Sequence, residues 1–361
     1  MNHKKHICII VDCFCGGGAE KVAASFSFLL EKKGYKVSII SLRDDITYKY
    51  TGELYNLGRN EPSVKWIKQL KKVVLFRKYY KSINADFYVD FRMRNRFIME
   101  SLLHLFVFKS RKMVMSIQHY NIAYHIPKSA IFKKVYSQVK AIAAVSNDIV
   151  AELKTYHTFN NVKYTPNFVN KDLLVTSKSP PNNIPNNAVL AIGRLNNPVK
   201  QFDKLILSYK NTKTFKKGIP LIILGDGPDR LKLEALIEAN NLQSSVKLLG
   251  FVPNPYDYIK QCKFLVLCSK YEGMPLVILE TLTLGKPVVS FDCKSGPSEL
   301  IIHKENGLLV KDQDFHELEK SIDLLQEDEL LYKRLTNNAT SSMGKFSGKE
   351  IIKDWEAVFN A

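Results

Sequence analysis

The sequence predicts two doubly wound α/β domains facing across a cleft, and three observations carry that prediction. Apolar runs of strand length alternate with helical stretches along the whole chain of 361 residues. A stretch rich in proline and asparagine, "SKSPPNNIPNN" at 177–187, interrupts the alternation near its middle. The same alternation then opens a second time. The expected division is 1–176, a linker at 177–187, a second domain at 188–344, and a terminal helix at 345–361 that crosses back to the first domain.

In the first half, "ICIIV" reads as a buried strand and Ala19 to Lys33 as the helix that follows it. "KVSIISL", "DFYVDF", "KMVMSI" and "AIAAVS" read as later strands. In the second half the strands are "AVLAIGR", "PLIILGDG", "VKLLGF", "FLVLCS" and "PVVSFD". Continuous apolar runs of this length suit parallel strands covered by helices on both faces. In such folds ligands sit at the carboxyl ends of the strands, so the loops there are the candidate sites.

Composition is that of a globular protein, with 45% hydrophobic and 24% charged residues. The opening "HICIIVDCFCGGG" is short, holds Asp12 and ends in glycines, so it reads as a first strand rather than a signal peptide; nothing else approaches a membrane span. Six scattered cysteines, without a second C-x-C pair to complete a zinc site, suit a reducing cytoplasm. The net charge of +18 is uneven: residues 1–170 carry +16 and residues 171–361 carry +2. The basic half calls for an anionic partner, such as a phospholipid surface, a phosphorylated acceptor or nucleic acid. Its densest piece, "VKWIKQLKKVVLFRKYYKSI" at 64–83, interleaves apolar and basic residues as a membrane-surface helix would; a helix packed on its own domain with a solvated basic face fits equally.

Glu272 and Glu280 lie eight positions apart in the largely apolar "SKYEGMPLVILETLTLGKPVV". Pro275 suits a helix start and Gly285 a helix end, so Glu272 falls in the loop and Glu280 inside the helix. A buried carboxylate needs hydrogen-bond donors, which a salt bridge, a cap or the paired hydroxyls of a ligand can supply. "AIGRLNNPVK" places Gly193 and Arg194 after a strand and Lys200 near the next helix, a cationic pair suited to a diphosphate or to plain solvation. "DCFCGGGAEK" exposes helix amides to an anion or makes a tight structural turn, and it lacks the dinucleotide fingerprint.

Together, "GGGAEK", "GRL" with Lys200, "GDGP", "LLGFV" and E-G-x-P-x-x-x-x-E resemble the retaining glycosyltransferase family 4 of the GT-B fold, over essentially the whole chain. That resemblance implies specific roles. Glu280 would hold the nucleotide ribose hydroxyls, and Glu272 would lie against the donor sugar. Backbone amides of Gly273, Met274, Pro275's neighbour Leu276 and their surroundings would bind sugar hydroxyls or phosphate. Arg194 and Lys200 would neutralise the departing diphosphate, although their spacing is one residue longer than the family's. Gly17 and Gly18 would close over the diphosphate from the first domain. Gly250, Phe251 and Val252 would lie near the base, and His119 near the sugar and reacting centre. The implied reaction retains the anomeric configuration by same-face attack and uses no cofactor and no metal.

Arg92, Arg94 and Arg96 in "DFRMRNRF" alternate at a strand end, and we read them as a site for the phosphates of a lipid-linked acceptor or as a solvated charge run. The leading expectation is a cytoplasmic enzyme at the inner membrane surface, moving sugar from a UDP-sugar onto a lipid-linked or surface-glycan acceptor. Alternatives are a GT-B sugar-nucleotide epimerase and a non-catalytic nucleic-acid- or glycan-binding protein; the basic residues form no nucleic-acid reading motif.

Overall fold

The structure, a computed structural model, describes residues 4–59, 65–174 and 184–360, with backbone only at 65–67. Two compact units divide it, Met1–Phe168 with Gly348–Ala361, and Val169–Ser347. The division after Phe168 precedes the boundary expected at 176; of the expected linker, 177–183 lie outside the described residues.

The first unit contains β1 (His6–Val11), α1 (Gly18–Lys32), β2 (Lys36–Ser41), β3 (Glu53–Asn56), α2 (Lys65–Ile83), β4 (Phe87–Asp90), α3 (Phe97–Phe106), β5 (Met113–Ile117), α4 (Ala130–Ser137), β6 (Ala141–Ala144), α5 (Asn147–Thr155) and β7 (Val162–Tyr164). Its seven strands are parallel in the order β3-β2-β1-β4-β5-β6-β7. Helices cover both faces, so β1 and β5 are apolar at nearly every position and almost wholly buried.

The second unit contains β8 (Val189–Ile192), α6 (Asn197–Lys200), α7 (Phe202–Asn211), α8 (Lys213–Lys216), β9 (Leu221–Leu224), α9 (Arg230–Ala239), β10 (Val246–Gly250), α10 (Tyr256–Gln261), β11 (Phe264–Leu267), α11 (Leu276–Thr283), β12 (Val288–Phe291), α12 (Pro297–Leu300), β13 (Gly307–Val310), α13 (Phe315–Glu327) and α14 (Glu329–Ser342). Six parallel strands run β10-β9-β8-β11-β12-β13 around a core that includes Ala191, Ile223, Val266 and Val289. The chain then returns to the first unit as α15 (Gly348–Asn360), whose Trp355 ring stands 4.5 Å from Phe26 and whose Phe359 stacks on Phe87 at 5.2 Å.

In each sheet the chain reverses its direction of growth once. The turning point lies between β1 and β4 in the first unit and between β8 and β11 in the second. At those points adjacent loops diverge to opposite faces of the sheet and leave a crevice at the carboxyl ends of the strands.

Candidate functional site

The second unit's turning point is built by close backbone packing. Gly225, at φ 145, leaves β9 so near the Gly193 carbonyl that a side chain there has no room. A Cβ at Gly193 would lie 3.4 Å from Lys200 Cδ, so the lysine stem crosses the loop after β8 over that glycine. Lys200 is the last residue of α6, and Gln201 turns the chain left-handed at φ 53.

The loop after β11 is fastened to the end of α6. Lys270 N–H donates to the Val199 carbonyl at 2.8 Å, and Gln201 Nε2 donates to the Cys268 carbonyl at 2.9 Å. This brings Lys200 Nζ to 2.5 Å from Glu272 Oε1, with the two side chains 19% and 12% exposed. The extra residue between Arg194 and Lys200 therefore does not keep the ammonium from Glu272. Arg194 is exposed and has no ion-pair partner among the described residues.

Glu272 is held from its other side as well. Its N–H donates to the Lys294 carbonyl at 2.7 Å, and Ser295 Oγ donates to the Gly273 carbonyl at 2.8 Å. Met274 is buried, Pro275 is the N-cap of α11, and no side chain caps that helix. Its amide end is thus suited to an anion. Glu280 is the fifth residue of α11 and 7% exposed, with the Tyr256 hydroxyl 3.3 Å from Oε1. Gly250 takes φ 81 at the end of β10 and accepts from Gly225 N–H at 2.7 Å, followed by the exposed Phe251 and half-buried Val252.

In the first unit, Gly16 at φ 70 turns the chain into α1, with Gly17 as N-cap and Gly18 as first residue. The Glu20 carboxylate folds back over Gly17, covering the amide end of the helix with a negative charge. His119 follows β5 and accepts from Asn121 N–H at Nδ1 (3.0 Å), so the neutral ring carries its proton on Nε2 as a donor.

The structure corrects the reading of Arg92 and Arg94. Both are in the core, at 2% and 0% exposure, while Arg96 is exposed. Arg92 makes a two-pronged bond to Asp90 at 3.0 and 2.7 Å and lies 3.2 Å from Glu100. Arg94 donates to the carbonyls of Asp90, Arg92, Ser116 and His125 at 2.7 to 3.1 Å. Every guanidinium donor group has an internal acceptor, so burial is tolerable and neither side chain is available to an acceptor phosphate. Burial works against the charge on Asp90, but Arg92 and Arg94 outweigh it and hold that carboxyl below its ordinary range.

Sequence reasoning missed the residues that complete these arrangements: Asp90, Glu100, Tyr256 and Ser295. Asp90 two positions before Arg92 was the available signal. Also unforeseen is the contact of Cys13 and Cys15, whose sulfurs approach to 2.7 Å, with Arg43 donating to Cys13 at 3.0 Å; burial and Cys15 push the Cys13 thiol up to about 12.

In doubly wound α/β proteins, nucleotides and other phosphorylated ligands bind at such a turning point, which here holds an ammonium–carboxylate pair. Comparison with known proteins narrows the class. Residues 176–342 match the family of group 1 glycosyl transferases. The amylovoran biosynthesis glycosyltransferase AmsD of Erwinia amylovora is 27% identical over 95% of this chain and 96% of its own length. A Campylobacter jejuni enzyme, named as an N-acetylgalactosaminyltransferase acting on N-acetylgalactosamine-N,N'-diacetylbacillosaminyl-diphospho-undecaprenol, is 27% identical over 94% of both chains. Among solved structures, Anabaena HepE in complex with UDP and glucose superposes with a TM-score of 0.77 at 19% identity, covering 99% of this chain and 100% of that one. The chain has the GT-B fold, and the activity that the family match and the two relatives support is glycosyl transfer.

Proposed function

We propose that this protein is a retaining, family 4 glycosyltransferase that moves a hexose or N-acetylhexosamine from a UDP-sugar to a lipid-linked or growing surface-glycan acceptor in polysaccharide biosynthesis, including capsule or lipopolysaccharide. The observation that carries the reading is the Lys200–Glu272 pair at the β8–β11 turning point, where a phosphorylated ligand is expected. The donor class is supported by the UDP in the Anabaena structure, and the acceptor class by the names of the two bacterial relatives.

In the donor complex Lys200 turns from Glu272 to the diphosphate and, with Arg194 and the amide end of α11, meets the charge that develops as the sugar–phosphate bond breaks. Glu272, relieved of its cation, accepts from donor-sugar hydroxyls. Glu280 accepts from the ribose hydroxyls with Tyr256 fixing its orientation. Phe251 offers the base an apolar surface. The acceptor hydroxyl attacks from the face the diphosphate leaves, whose oxygen takes the proton. The two cations replace a metal in this scheme. The enzyme works at the inner face of the membrane; among the described residues no helix is long and apolar enough to cross it.

The test is slow donor hydrolysis across UDP-hexoses, UDP-N-acetylhexosamines and GDP-mannose, followed by proton NMR. The reading requires one UDP-sugar to be consumed with the α-anomer released first. Release of the β-anomer overturns retention, and consumption of none overturns the enzyme assignment.

A further inference from the structure

Helix α3, FIMESLLHLF, is built inside out. Its inward face carries a carboxylate: Glu100 is 2% exposed and lies 3.2 Å from the Arg92 guanidinium. Its outward face carries aliphatic and aromatic side chains: Ile98 is 76% exposed, Leu105 74%, and Phe97 and Phe106 are exposed beside them. Ile98 and Leu105 are seven residues apart and share one side of the helix. An ordinary surface helix is arranged the other way, apolar stripe to the core and charge to water. The Arg92–Glu100 pair and the buried Leu103 anchor α3, and most of its apolar side chains are left outside.

The exposed apolar surface continues onto α4. Phe132 of α4 packs edge-on against Phe97 at 5.2 Å, which places α4 beside α3, and its neighbour Ile131 is 66% exposed. Contiguous apolar surface of this kind marks a contact site.

The charge around it selects the partner. From Arg92 to Asn147 the only acidic residue is the buried Glu100. Arg96, Lys109, Lys128, Lys133 and Lys134 are all exposed in the same stretch. Apolar residues projecting from helices, flanked by lysine and arginine, match the two-part requirement for holding a bilayer surface, acyl-chain insertion together with attraction to anionic headgroups. Helix α2, the most basic stretch in the sequence, is less suited. Its Phe76, Tyr80 and Ile83 are buried in the first unit, and Phe76 packs against Phe108 at 5.5 Å.

We propose that α3 and the start of α4 are the face on which the protein docks to an anionic lipid bilayer, with Ile98, Leu105, Phe106 and Ile131 entering the acyl boundary and Arg96, Lys128, Lys133 and Lys134 meeting lipid phosphates. The inference deepens the reading of a membrane-borne acceptor, and its test uses neither donor nor acceptor, so the two fail separately.

The experiment is cosedimentation of the full chain with vesicles of phosphatidylcholine alone and of phosphatidylcholine mixed with phosphatidylglycerol. The variants are Ile98→Glu with Leu105→Glu, Lys128→Gln with Lys133→Gln and Lys134→Gln, and, on α2, Leu70→Glu with Val74→Glu. The expected result is binding to the mixed vesicles, weakened more than tenfold by the α3 pair and severalfold by the lysine set, and unchanged by the α2 pair. Thermal unfolding confirms that the variants are folded. Ile98→Trp supplies a second readout: its added fluorescence shifts to the blue with mixed vesicles only. No binding by the wild type, or binding unaffected by the α3 pair, overturns the proposal. So does dimerisation of the wild type that the α3 pair abolishes, because the face is then covered by a second copy.

Discussion

The two units wind their sheets in the same order about one turning point, yet they use charge there in opposite ways. At β8–β11 a single lysine meets a single glutamate, both partly open to solvent. At β4, beside β1, two arginines and two carboxylates close on one another with almost no exposure. A pair left open can exchange its partner for a ligand, whereas a closed network can only be broken. Charge in the second unit should therefore govern activity, and charge in the first unit stability.

The largest expected effect tests the closed network. Arg92→Ala leaves Asp90 and Glu100 buried without their main cation, at a cost of about 3–5 kcal/mol. Chemical denaturation of the variant should show an early transition of that size. Loss of less than about 1 kcal/mol would mean that the network is not the anchor described.

Lys200→Ala is the counterpart in the open pair. Transfer should fall by about 10²–10³ in kcat/KM, the scale for removing one charge-stabilising group from a transition state, while thermal stability stays close to wild type. A large fall in stability with modest loss of activity would erase the contrast between the units.

A third effect comes from His104, which packs edge-on against Phe108 at 5.2 Å near the buried arginines. Burial, with Arg92 beside it, pushes its pKa from 6.5 down to about 4. The unfolded chain therefore binds a proton that the folded chain refuses. The native state is unaffected above about pH 6.5 and loses stability as pH falls toward 4. At pH 5 the penalty is about 2 kcal/mol, and His104→Phe should remove it. Equal acid sensitivity of variant and wild type by urea unfolding would contradict this assignment.

The smallest effect sharpens the site itself. Tyr256→Phe removes a hydroxyl from Glu280 and should weaken nucleotide binding by about 1 kcal/mol, severalfold in affinity. Calorimetric titration with UDP would show it, and unchanged affinity would detach Tyr256 from the ribose site.

The sequence made the strands and glycine turns legible because the physics there is local. Apolar runs such as "LIIL" and "FLVL" have no place but the core, and Gly225 must be glycine because the Gly193 carbonyl lies against it. Glu272 and Lys200 were legible through a motif, although their pairing was not, since it depends on how the loop after β11 is tied to α6. Arg92 and Arg94 were misread because two of the Arg94 acceptors, the carbonyls of Ser116 and His125, are 22 and 31 residues away. Alternating charge looks alike in sequence whether solvated or buried; distant backbone decides which. The outward apolar face of α3 was hidden for the same reason, because its inward side is fixed by the Arg92–Glu100 ion pair and Leu103 rather than by the whole apolar set.

The central claim, that the turning point of the second unit is a diphosphate site held by Lys200, is tested most directly by calorimetric titration of UDP and of uridine into wild type and Lys200→Ala. The account predicts that wild type prefers UDP strongly and that the variant loses about tenfold or more of that preference, as expected for a charge-assisted bond to phosphate, while uridine binds both alike. A variant that keeps the full preference for UDP would contradict the account.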